Sequence, residues 1–146
     1  MTRLAALLFS IFALAAFSPS AYAQDTDESP YARMPDALVN LVESSYRCQA
    51  VIGDSVHAEI MQTVRSIISK LAEGDEDLTS RFMAAAEAAA QRKCPDAGTC
   101  WRDYVGADAS MTKEQAVPLC EQKILPPMEL VSSLLTEIIE ASDAGT

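Results

Sequence analysis

The stretch VHAEIMQTVRSIISKL, residues 56–71, decides the fold. Its apolar residues Val56, Ile60, Met61, Val64, Ile67, Ile68 and Leu71 recur every three or four positions. His57, Gln62, Arg65, Ser66 and Lys70 fall mostly on the other side. That spacing gathers one apolar stripe on an α-helix and would scatter the same residues over both faces of a strand. With its flanking turns the helix has about nineteen residues, which at 1.5 Å each make a rod of about 28 Å. Gly74 stops it, and the turn Gly74-Asp75-Glu76-Asp77 sets carboxylates at the positive end of the next helix.

That next helix is predicted over residues 75–93. Leu78, Phe82 and Met83 lead its apolar face, and the run AAAEAAA at 84–90 continues it with the strongest helix former. A face of alanines lets a neighbouring helix approach closely. Arg92 and Lys93 close the helix where its dipole favours cations. Upstream, Leu38, Leu41, Val42, Tyr46 and Ile52 keep near-helical spacing, with Val39 and Val51 widening the stripe. They predict a helix over residues 36–52 with Pro35 in its first turn. Gly53 either stops that helix or is carried through it, at about 1 kcal/mol. Asp54 or Ser55 is placed to cap the next one.

Downstream, Cys94-Pro95-Asp96-Ala97-Gly98-Thr99-Cys100 is loop chemistry. Thr99 is placed to cap a short helix through Trp101 and Val105 that Gly106 closes. Thr112 and Gln115 have the spacing of a capping box and predict another helix start. Pro118 is expected to kink or restart that helix and Pro126 to terminate it. Pro127 then opens a last helix, striped by Met128, Val131, Leu134, Leu135, Ile138 and Ile139. No alternating β pattern of useful length occurs. The prediction is an all-α fold: a small helical bundle of about four main helices plus one or two short ones, over residues 35–142. Residues 143–146 read as a frayed tail.

The N-terminus has a different character. Arg3 precedes an apolar run over residues 4–17, interrupted only by Ser10, and Ser18, Pro19 and Ser20 break it. Ala21-Tyr22-Ala23 then offers the small-x-small pattern that signal peptidase accepts. The run is shorter than the roughly 20 residues a bilayer requires. Residues 1–23 therefore read as a cleavable signal peptide that leaves no stable membrane anchor. Residues 24–34, opening on the polar and acidic QDTDES, read as a disordered lead-in.

Composition narrows the function. The chain carries 11 basic and 21 acidic residues, a net charge of −10; loss of Arg3 with the leader makes it −11. Nucleic-acid binding is disfavoured, because affinity for phosphate backbones comes from basic side chains that displace counterions. A basic protein partner is favoured electrostatically. The single asparagine, Asn40, lies in no glycosylation acceptor, which points to a bacterial periplasm ahead of a eukaryotic secretory route.

Four cysteines, Cys48, Cys94, Cys100 and Cys120, in an exported chain imply two disulfides. Antiparallel helices bring Cys48, Cys94 and Cys100 to one pole, so two pairings are feasible. The turn-forming Pro95-Asp96-Ala97-Gly98 tilts the choice towards Cys94–Cys100 with Cys48–Cys120. The alternative is Cys48–Cys94 with Cys100–Cys120. A zinc site is disfavoured: no pair is spaced C-x-x-C, and the one histidine, His57, is far in sequence from three of the thiols. No cofactor is expected.

Few residues carry catalytic potential. His57 with Asp54 or Glu59 is a minimal general-base arrangement, and the same pair is an ordinary surface contact. Cys94 and Cys100 could exchange thiols, but a redox pair wants tighter spacing on a helix N-terminus. Trp101 and Tyr104, three apart on a short stapled helix, are the residues of an interface anchor. The expectation is an exported, non-catalytic protein that binds another protein in the periplasm or outside the cell, of the inhibitor, immunity or accessory-subunit type. The alternatives are a thiol-exchange factor or small hydrolase using Cys94/Cys100 or His57, and a small-molecule or lipid carrier.

Overall fold

A computed structural model describes residues 29–145, which form helices joined by turns and loops, with no strand among them. Five helices follow one another: α1 (Pro30–Ile52), α2 (Asp54–Leu71), α3 (Glu76–Lys93), the short α4 (Trp101–Val105) and α5 (Lys113–Ala144). The signal peptide expected over residues 1–23 lies outside the described residues. Helix α1 is the axis of the bundle and packs against each of the other four, most extensively against α5.

The first helix starts earlier than its sequence suggests. Ser29 is its N-cap, with Oγ accepting from the Tyr31 amide, and Pro30 fills the first position, where a missing N–H is harmless. Met34 is fully buried and Tyr31 packs on the core. Apolar burial thus orders residues 30–34, correcting the disordered lead-in drawn through residue 34. Pro35 consequently lies in the second turn of α1 and is itself buried.

Gly53 ends α1 and also stands as the N-cap of α2, at φ 96°. An α-helix cannot pass through that conformation, so the two helices are separate. Of the stripe over residues 56–71, Ile60, Val64, Ile67 and Ile68 are buried, Met61 and Leu71 pack partly buried against the core, and Val56 is exposed. Asp75 caps α3, accepting from the Leu78 amide at 3.0 Å. Ala86 and Ala90 are fully buried, so the alanine face does admit a close neighbour. Lys93 at the end of α3 donates to the nearly buried Glu43 of α1 at 2.6 Å.

Helix α5 departs most from expectation. It runs unbroken through Pro118, Pro126 and Pro127, where the sequence predicts a restart and a termination. The capping box at its start is present in full, with Thr112 and Gln115 exchanging hydrogen bonds. A proline costs a helix interior about 3 kcal/mol through its absent N–H and its clash with the preceding turn. Against that, Ala116, Cys120, Ile124, Val131, Leu134 and Ile138 make one buried stripe that spans all three prolines. Each buried aliphatic side chain contributes roughly 1.5–3 kcal/mol. The carbonyls that lose their in-helix donors belong to Glu114, Gln122 and Lys123, all exposed residues, so solvent serves them. The helix also continues through Asp143 and Ala144, in place of the frayed tail.

The disulfides are Cys48–Cys120, joining α1 to α5, and Cys94–Cys100, closing the loop between α3 and α4. Within that loop Thr99 does not cap α4. Its hydroxyl donates to Asp96, whose carboxylate also accepts from the Gly98 amide. These two bonds hold the Asp96 carboxyl below the usual carboxylate range.

Candidate functional site

Three places bring together the residues that the sequence marks. The first surrounds His57. Its Nδ1 lies 2.8 Å from the Ser45 hydroxyl, and its ring meets Tyr46 edge-on with centroids 5.7 Å apart. Ser45 also donates to the Val42 carbonyl at 3.0 Å, which leaves Nδ1–H of His57 as the donor in their shared bond. Ser45 is fully buried, so its hydroxyl is out of reach of any substrate. Asp54 accepts from Gln49 at 2.9 Å, a bond within the α1–α2 corner. The arrangement ties α2 to α1 and does not form a nucleophile and base.

Burial lowers the His57 pKa, with Glu87 and then Asp54 pulling weakly the other way. The folded protein therefore holds fewer protons on His57 than the unfolded chain just below pH 6.5. The stability this neutral ring contributes is complete above about pH 6.5 and declines as the pH falls through it. The difference in Tm between pH 7.5 and pH 5.5 is expected to shrink in His57→Gln, by scanning calorimetry. An unchanged difference would remove the role assigned to His57.

The second place is the short helix α4. Trp101 is 1% exposed, the largest fully buried side chain of the protein. As an interface anchor it is therefore corrected: its ring fills the interior, beyond a partner's reach. The Arg102 guanidinium lies 4.5 Å from the Trp101 ring centroid and donates to the carbonyls of Asp108 and Met111. That side chain clamps the 107–111 linker over the tryptophan. Tyr104, in contrast, is only partly buried and bonds Ser44 of α1, hydroxyl to hydroxyl, at 2.9 Å.

The third place is a groove that the sequence does not announce. Val56, Glu59, Ile60 and Thr63 form one side from α2, and Val117, Glu121, Ile124, Leu125 and Met128 the other from α5, with Val51 and Ile52 between them. These positions step by three and four, so each wall is one face of its helix. The groove has a volume of about 640 Å³ and is open to solvent. Ile60 and Ile124 form its buried floor, while Val56, Leu125 and Met128 are 40%, 49% and 42% exposed. Glu59 and Glu121 are exposed on the two walls. The Cys48–Cys120 bridge, one residue from Glu121, fixes the α5 wall to α1.

Sequence reasoning placed Val56 and Met128 on core stripes and gave Leu125 no role. The signal was present in the width of the α5 pattern. Apolar residues at 117, 119, 124, 125, 128, 130, 131, 134, 135, 138 and 139 cover more of a helix than one core contact uses.

Among the described residues, no group of three or more His, Cys, Asp or Glu side chains is placed to hold a metal ion, and no cysteine is free. No helix among them is long and apolar enough to cross a membrane. The two disulfides point to an oxidising, non-cytoplasmic compartment. Comparisons with protein-family models, with curated proteins and with solved structures find no match to this chain.

Proposed function

We propose that this is an exported, non-catalytic binding protein that holds an amphipathic helix of a basic partner in the groove between α2 and α5. The observation that carries the reading is the gathering of Val56, Leu125 and Met128, all exposed, in one groove with Glu59 and Glu121 on its walls. Large apolar side chains left in water at one place favour a partner that covers them. A helix laid in a groove buries such residues through its own i, i+3 and i+4 positions. The carboxylates then select lysine or arginine on the flanks of the incoming helix, and the net charge of −10 speeds its approach. Processing after Ala23 and residence in the periplasm belong to the same proposal, supported by the leader-like residues 1–23 and by the disulfides. Recovery of the unprocessed chain from the cytosol with four reduced thiols would overturn that part.

A synthetic 14-residue helix of leucine and lysine, titrated calorimetrically, tests the groove. It is expected to bind, while its leucine–glutamate counterpart does not. Leu125→Asn is expected to weaken binding at least about tenfold, the loss of one well-buried aliphatic contact, with the Tm unchanged because Leu125 already faces solvent. Equal binding of the two peptides, or no effect of Leu125→Asn, would overturn the assignment.

The open, mainly apolar groove also falls in the size range of small-molecule pockets, which keeps a carrier role as the second reading. Lipid co-purifying with the protein and displaced by the leucine–lysine peptide would favour it.

A further inference from the structure

A second groove lies on another face of α5 and shares no lining residue with the first. It has a volume of about 380 Å³ and is bordered by Glu43, Ser44 and Arg47 of α1, Tyr104 of α4, and Lys123, Pro126, Pro127 and Leu130 of α5, with Asn40 at its rim. Two cations converge here on one aromatic ring. The Arg47 guanidinium carbon is 4.0 Å from the Tyr104 centroid, and the Lys123 ammonium is 5.4 Å from the same centroid.

Acidic residues outnumber basic ones by 21 to 11, yet neither Arg47 nor Lys123 forms an ion pair among the described residues. The one carboxylate lining the groove, Glu43, is engaged by Lys93. Nε of Arg47 is shielded from solvent and has no hydrogen-bond partner. A buried donor without an acceptor is costly, and two like charges near one ring repel each other. An anion between them relieves both conditions.

We propose that this groove binds a small carboxylate with an apolar body. The carboxylate suits the guanidinium, which presents Nε–H and an Nη–H side by side after a small rotation against the tyrosine face. Lys123 supplies a second positive charge from the opposite wall. Pro126, Pro127 and Leu130 offer the apolar surface that the rest of the ligand covers. The overall negative charge of the protein sharpens the choice. It repels multiply charged anions at long range, so a ligand with one charge and an uncharged remainder is preferred over free phosphate. The inference stands independently of the helix-binding groove.

The test uses phenylacetate, phenylacetamide and inorganic phosphate, each titrated into the oxidised protein and followed by ¹H–¹⁵N spectra that include the Arg47 Nε–H signal. Phenylacetate is expected to shift the Arg47 Nε–H and Ser44 signals saturably, and the neutral amide and phosphate to leave them in place. Lys123→Gln changes an exposed residue and spares the fold. It is expected to weaken phenylacetate at least about tenfold, the loss of a charge-assisted contact. Arg47→Gln is expected to abolish binding. Phenylacetamide binding as well as phenylacetate, or Lys123→Gln binding as well as wild type, would overturn the site. Phosphate binding as tightly would overturn the apolar selection, and absence of any saturable shift with phenylacetate would overturn the whole proposal.

Discussion

Replacing Cys48 and Cys120 together with alanine is expected to lower the stability of the protein by about 4 kcal/mol. The bridge spans a sequence separation of 72 and joins the central helix to the longest one. Without it, the unfolded chain regains the freedom of that large loop, and the gain grows with the logarithm of loop length. The same reasoning gives about 2 kcal/mol for Cys94–Cys100, whose separation is 6. Denaturant unfolding of the two double variants checks both the magnitudes and their order. The reverse order would show that the short loop, with Asp96 and α4 folded onto it, matters beyond chain entropy. The long bridge also fixes one wall of the apolar groove, so its loss is expected to weaken the leucine–lysine peptide in the folded variant as well.

Trp101→Ala is expected to cost about 3–5 kcal/mol, the range for emptying a buried aromatic site. Helix α4 has only five residues, too few to hold together by its own hydrogen bonds. Three anchors keep it in place: the fully buried indole, the neighbouring Cys94–Cys100 bridge, and Arg102, which reaches to the carbonyls of Asp108 and Met111. Removing the indole leaves Arg102 without the ring it covers and opens a cavity beneath α4. Trp101 is the single tryptophan of the chain, so unfolding of this variant is followed by circular dichroism. Peptide binding by the folded fraction is expected to be unchanged, since Trp101 does not line the apolar groove. A variant of wild-type stability that loses binding would restore the tryptophan as a contact residue.

The helices over residues 56–71 and 76–93 were legible because their stripes are narrow and bounded by glycine and aspartate, whose physics is local. The disulfide pairing was legible only as a choice of two. Helix length and polarity bring three cysteines to one pole, and contacts across the bundle make the selection. The prolines misled in both directions. Pro30 and Pro35 both lie in α1, and burial of Met34 decides where that helix begins. Pro118, Pro126 and Pro127 break local hydrogen bonds, but a buried stripe from Ala116 to Ile138 holds α5 together across them. Local rules count one lost bond and cannot see a stripe completed by another helix. The two grooves were invisible for a related reason. Leu125 resembles any core leucine, and Arg47, Lys123 and Tyr104 stand far apart in the chain, meeting only once α1, α4 and α5 are assembled.

Gly53 gives the apolar groove a mechanical character. One wall belongs to α5, bolted to α1 through Cys48–Cys120, and behaves as a stationary jaw. The other belongs to α2, which leaves α1 through this single residue at φ 96°, with nothing closer than 4.0 Å to where a side chain would begin. The torsions of that pivot set the direction in which α2 departs, and the His57–Ser45 and Gln49–Asp54 bonds hold it there. The girth of helix that the groove accepts is thus written partly in the backbone of a residue that never touches it.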